Sequence, residues 1–200
     1  MKTLILLLLI ALSPYTFAQK IILKEDFTGN INQWLIQDNL NDSIKIADGK
    51  YVMEGLNEST RLSVIPVRFG NAKSYSISVL AEHVSGADNY AYGIYLSNKK
   101  GNSSYCFVIS SRGYYKFYGH DKDRYKQLAD WTEHSYVKKG NNAVNKLTMN
   151  KEDNNWKLYI NDKLIGTVPI TISIKDPLVG FIRSNKQKVA FDDFMITELK

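Results

Sequence analysis

Residues 103–120, SSYCFVISSRGYYKFYGH, carry six aromatic rings within eighteen positions. Spaced as two strands about a tight turn, the rings divide between the two faces of a sheet. Rings on a water-facing surface suit one chemistry well. The C–H face of a sugar lies on a ring, while its hydroxyls reach carboxylates, amides and guanidinium groups nearby. Alternation assigns the faces. With Tyr92, Ile94 and Leu96 inward, Tyr95 points outward. With Tyr105, Phe107 and Ile109 inward, Cys106 and Val108 point outward. With Tyr115 and Phe117 inward, Tyr114, Lys116 and Tyr118 point outward. Tyr95, Tyr114 and Tyr118 then form a floor, which alternation along SYSISVLAEHV extends to Ser76, Ser78 and Glu82. Arg112, His120 and Trp131, read into the adjoining turns, form its rim. These rings also have an ordinary structural role. Tyrosine favours strands, and cross-strand aromatic pairs stabilise a sheet by roughly 0.2–1 kcal/mol each. Both roles stay open.

Groups suited to acid–base or nucleophilic work are sparse. There is no G-x-S-x-G elbow, no H-E-x-x-H and no phosphate-cradling glycine loop. Glycoside hydrolysis normally takes two carboxyl groups at a set separation. Glu82 is the one acid assigned to the floor, with Asp88, Asp121 and Asp123 in loops. His83, His120 and His134 share no motif and read as surface or edge residues. The stretch Asp121-Lys122-Asp123-Arg124 spaces two aspartates but lacks the glycine and distal glutamate of a calcium loop. Cys106 is the only cysteine, so the chain forms no internal disulfide, and the residue reads as small strand packing. No metal or cofactor is assigned a site.

The elements that must hold these residues are almost all strands. Period-2 patterns dominate and helical periodicity is nearly absent. DSIKIADGKYVMEG reads as two strands about Asp48-Gly49, a pair that favours the positive backbone angles of a hairpin turn. Pro66 in RLSVIPV marks an edge strand, because proline cannot donate to a ladder. NKLTMNKED, NWKLYIN and KLIGTV form a meander, with NDK as a tight turn. About a dozen short strands without a dividing linker predict an all-β, two-sheet antiparallel sandwich or jelly roll over residues 19–200.

Residues 1–18 read as a secretory signal: Lys2, the apolar run LILLLLIAL, and TFA as a cleavage site ending at Ala18. The run is too short to span a bilayer comfortably, so no membrane span is expected. The product would be a periplasmic or extracellular monomer beginning at Gln19. The formal charge of +6 is scattered in short clusters, without the module that nucleic-acid binding requires. A solvated basic surface, tolerant of acidic polysaccharides, fits it better.

The order of DFTGNINQW, YAYGIYLS, YCFVISSRGYYKFY, WKLYINDKLIGTV, PLVGFI and VAFDDFMI resembles the concanavalin A-like jelly rolls of secreted bacterial proteins. These are related to laminin G-like and 3-keto-disaccharide-hydrolase-like domains. The resemblance implies two curved sheets of about six or seven strands, often with a glycan site on one. It also implies structural roles for Trp34 at the sandwich edge and for Phe191 and Phe194 in the core. Asp192 and Asp193 match positions that ligate calcium in some relatives, though carboxylates there also pair with lysines or loop amides. The E-x-D-x-x-E of laminarinase-like relatives is missing. The reading is an exported, non-catalytic domain that binds an oligosaccharide, polysaccharide or cell-surface polymer. The alternatives are a glycan-processing hydrolase of the 3-keto-disaccharide type, with Glu82, Asp121 or His120 as acid or base, and a module for an envelope protein partner.

Overall fold

The computed structural model describes residues 20–199; the expected leader and its cleavage site lie outside the described residues. The chain runs through β1 (Ile21–Glu25), β2 (Gln37–Asp38), β3 (Asp42–Ala47), β4 (Lys50–Gly55) and β5 (Thr60–Pro66). Longer strands follow: β6 (Tyr75–Gly86), β7 (Tyr92–Asn98), β8 (Ser104–Ile109), β9 (Tyr114–Asp121) and β10 (Arg124–Glu133). It closes with β11 (Val144–Glu152), β12 (Asn155–Ile160), β13 (Lys163–Pro169), β14 (Pro177–Ser184) and β15 (Gln187–Glu198).

These strands make two antiparallel sheets. The nine-stranded sheet runs β13-β12-β11-β6-β15-β4-β3-β2, with β1 also on β15. The six-stranded sheet runs β10-β9-β8-β7-β14-β5. The all-β jelly-roll expectation therefore holds. Pro66 ends β5, which is an edge strand as its chemistry requires. The turns follow from residues that accept left-handed backbone angles: Asp48-Gly49 between β3 and β4, and Asn161-Asp162 between β12 and β13.

The core lies between the sheets, filled by the predicted inward sets. Ile94, Leu96, Tyr105, Phe107, Ile109 and Phe117 are all inaccessible. Trp34, expected at the sandwich edge, lies in this core and stacks on Phe181 at 4.9 Å, and Phe181 stacks on Phe191 at 4.3 Å. Phe194 meets both Trp34 and Phe181 edge-on. Trp34 is held there by the buried carboxylate of Glu25, which accepts its indole N–H at 3.0 Å and the Asn32 amide at 2.7 Å. The DFTGNINQW stretch is thus a loop folded around one carboxylate.

Three sequence expectations are corrected here. Glu82 and the serines Ser76 and Ser78 lie on β6 in the nine-stranded sheet, so they share no floor with the tyrosines of β7 and β9. Strand alternation separates inside from outside, but consecutive strands of a jelly roll can belong to opposite sheets. His120 and Trp131 lie on strands β9 and β10, not in turns. Finally, His83, read as a surface or edge residue, is fully buried on β6.

Candidate functional site

The outer face of the six-stranded sheet can be read in rows from its register. One row crosses β7, β8, β9 and β10 as Ser97, Ser104, His120 and Tyr125. The next crosses β5, β14, β7, β8, β9 and β10 as Val64, Gly180, Tyr95, Cys106, Tyr118 and Gln127. A third sets Ile182, Gly93, Val108 and Lys116 side by side.

The middle of this face is apolar. Tyr95, Cys106, Val108 and Ile182 form a second buried cluster, separate from the main core, with Val64, Ala91 and Tyr118 packed on it. Tyr95 is outward as expected but only 8% exposed, so it is part of a packed floor and offers little ring surface. Burial pushes the Cys106 thiol up to about 12, and it also raises the Tyr95 and Tyr118 phenols. All three stay neutral at physiological pH.

Along the β9–β10 side the floor rises into a ridge of rings. Tyr118 and Tyr125 lie 5.8 Å apart between centroids, and His120 lies 6.2 Å from Tyr118 and 5.8 Å from Tyr125. Lys116 stands among them, its ammonium 5.8 Å from the Tyr118 ring, 5.7 Å from Tyr125 and 5.9 Å from Trp131. These distances are within the range of cation–π attraction. Asp130 completes the environment 3.5 Å from the same ammonium. Burial opposes the Lys116 charge, but the Tyr125 hydroxyl and Asp130 outweigh it and hold its pKa above the ordinary lysine value. Tyr125 and Trp131 are the outer members, 50% and 38% exposed.

Of the residues chosen from sequence, Tyr118, His120 and Trp131 come together here, with Tyr95 beneath. Tyr114 is outward and 36% exposed, but it lies opposite Glu133 at the far end of β9 and takes no part in the ring cluster. Arg112 is in the β8–β9 turn, paired with Asp88 at 2.9 Å. Glu82 is paired with Lys50 at 2.7 Å on the other sheet. Tyr125 and Lys116 were missed as site residues. Reading Lys122-Asp123 as a two-residue hairpin turn would have set Tyr125 opposite His120.

This surface is suited to stacking and hydrogen bonding. Its carboxylate, Asp130, is engaged by Lys116, while Asp121, next to His120 but on the opposite face of β9, is engaged by Lys126 at 2.9 Å. The hydrogen bond from Lys126 also holds the Asp121 carboxyl below its usual range, which ill suits it to donate a proton near neutrality. Among the described residues no group of three or more His, Cys, Asp or Glu converges as metal ligands would. Asp192 accepts the backbone amide of Asp193 at 2.7 Å, one of the loop-amide roles open to it.

No family model matches the sequence, and no curated protein matches it. Solved structures match in fold. The carbohydrate-binding module CBM66 from Bacillus subtilis aligns with a TM-score of 0.62 at 13% identity, over 84% of this chain and 97% of that one. A Bacillus subtilis protein of unknown function with a galectin-like fold aligns at 0.67 and 7% identity, covering 90% and 96%. The binding domain of botulinum neurotoxin DC, in complex with SialylT, aligns at 0.58 and 16% identity over 91% of this chain and 49% of that one. At such identities the likeness is one of fold, the jelly-roll sandwich.

Proposed function

We propose that this chain is an exported, non-catalytic carbohydrate-binding domain, and that sugars stack on the β9–β10 ridge. The observation that carries the reading is the exposure of Tyr125 and Trp131 beside Tyr118 and His120, with Lys116 between the rings. Rings offer the sugar's C–H face an apolar partner, and the lysine, histidine and tyrosine hydroxyls supply polar contacts at its edge. Neighbours that are carbohydrate-binding modules or glycan-bound domains on the same fold support the reading by analogy of fold. Export rests on the leader-like sequence.

The test is a glycan-array screen followed by calorimetry with the selected oligosaccharide. Tyr125→Ala with Trp131→Ala should weaken binding at least tenfold, about 1.4 kcal/mol, at an unchanged melting temperature. Folded double variants that bind as tightly as the parent would overturn the ridge assignment.

A further inference from the structure

A cleft of about 800 Å³, sharing no lining residue with the ridge, opens at one end of the sandwich, lined in part by Arg68, Phe69, Tyr75, Lys99, Lys151 and Ile174. Its size falls in the usual range for small-molecule sites, roughly 300–1,000 Å³. Phe69 stacks on Tyr75 with centroids 4.0 Å apart. Lys151 leans over the other partner of this pair, 5.7 Å from the Tyr75 ring, while donating to the Lys73 carbonyl at 2.6 Å. Lys99 and Asp176 are shared with an adjoining hollow of about 410 Å³, which adds Lys100, Lys122 and Lys175.

The walls are fixed in advance. Residues 170–176 cross from one sheet to the other between the hollows, and the Tyr105 hydroxyl pins them. That hydroxyl accepts the amides of Thr171 at 3.1 Å and Ile172 at 2.7 Å, and it donates to the Ile172 carbonyl at 3.1 Å. Pro177 closes the strap by accepting the Val67 amide at 3.0 Å. A preformed wall spares a ligand the cost of ordering it.

The charge of this end is one-sided. Among the described residues, Arg68, Lys99, Lys100, Lys122, Lys151 and Lys175 form no ion pair with a carboxylate. Of the two acids lining the hollows, Asp121 is already held by Lys126, which leaves Asp176 alone against six cations. Clefts lined by one sign of charge concentrate ligands of the other sign.

We infer that this end cleft is a second binding site, specific for an anionic saccharide. Phe69, partly exposed and backed by the buried Tyr75, would take a sugar face, and Arg68, Lys99 and Lys151 its carboxylate or sulfate. The site is independent of the ridge, and neutral sugars are not its ligands.

The test titrates tetragalacturonate, its fully methyl-esterified form and a heparin-derived tetrasaccharide into the protein, read by calorimetry and by amide chemical shifts. One or both anionic probes should bind, and which one tells carboxylate from sulfate recognition. Shifts should centre on residues 66–75, 99–100 and 174–178, and binding should weaken as salt rises. Arg68→Gln with Lys99→Gln should lose at least tenfold, and Phe69→Ala should lose affinity at unchanged net charge. Trp131→Ala should bind the anionic probes like the parent, which separates this site from the ridge. Equal binding of the esterified probe, shifts confined to the ridge, or no anionic binding at millimolar concentration would each overturn the inference. So would binding to phosphatidylglycerol vesicles with no binding of either saccharide.

Discussion

Asp42 of β3 and Arg183 of β14 form an ion pair between the two sheets, with both side chains inaccessible to solvent. Arg61 joins from β5 on the other oxygen of the same carboxylate. Arg183 also donates to the Ser59 carbonyl at 3.2 Å and to the carbonyl of Asn185. Gly55 makes room for it, since a Cβ there would collide with the Arg183 guanidinium.

Removing one partner would leave a buried charge uncompensated. Asp42→Ala should therefore lose roughly 3–5 kcal/mol of unfolding free energy in urea titrations. Glu133→Ala breaks the exposed, solvent-screened pair with Lys139 and should cost far less. Equal losses at the two positions would show that the buried pair is no clamp between the sheets.

The β9 strand supplies a graded series within five residues. Phe117 is fully buried between the sheets, Tyr118 is half-buried on the second cluster, and Tyr114 is exposed. Phe117→Ala should cost roughly 3–5 kcal/mol, and Tyr114→Ala about 1 kcal/mol or less. Tyr118→Ala should fall between, because it uncovers Cys106 and Tyr95. Denaturant midpoints for the three variants check the order, and a Tyr114→Ala loss as large as that of Phe117→Ala would refute the face assignment.

These residues also mark what the sequence could reveal. Facing was legible because a strand alternates strictly, so Tyr92, Phe107 and Phe117 were placed inside and Tyr95 and Tyr118 outside. Sheet membership was not, because β6 and β7 follow one another in the chain yet lie in different sheets, which misplaced Glu82. The strand carrying Trp131 escaped because its register slips twice, between Gln127 and Ala129 and between Ala129 and Thr132. Bulges of that kind erase the period-2 signal. Tyr95 was correctly aimed but buried, since burial on an outer face depends on neighbours across four strands. The end cleft assembles residues from 66 to 178 and had no local signature at all.

Export predicts a defined start. If TFA is the cleavage site, intact-mass measurement of protein recovered from a periplasmic or culture fraction should give a chain beginning at Gln19. Full-length protein held in the membrane fraction would refute cleavage.

The outer-face cluster should make the protein sensitive to alkali. Burial raises the Cys106 pKa from 9.0 to about 12, and it raises the Tyr95 and Tyr118 phenols as well. For such acids the folded state keeps its protons longer than the unfolded chain does. Between the unfolded and folded pKa values the unfolded chain therefore binds fewer protons, and stability falls as pH rises. The stabilising effect is whole below about pH 8.5 and is lost progressively above it, by up to about 1.4 kcal/mol per pH unit for each group. Urea midpoints should hold steady between pH 7 and 8 and decline from pH 9 to 11. Cys106→Ala should shallow that decline, and the native thiol should react with a disulfide reagent at pH 8 only as fast as the protein opens. A parent and a Cys106→Ala variant with identical slopes, or a thiol that reacts at the rate of a free peptide, would show that the cluster is open to water. Tyr118 would then be a free ring and not the packed base of the ridge.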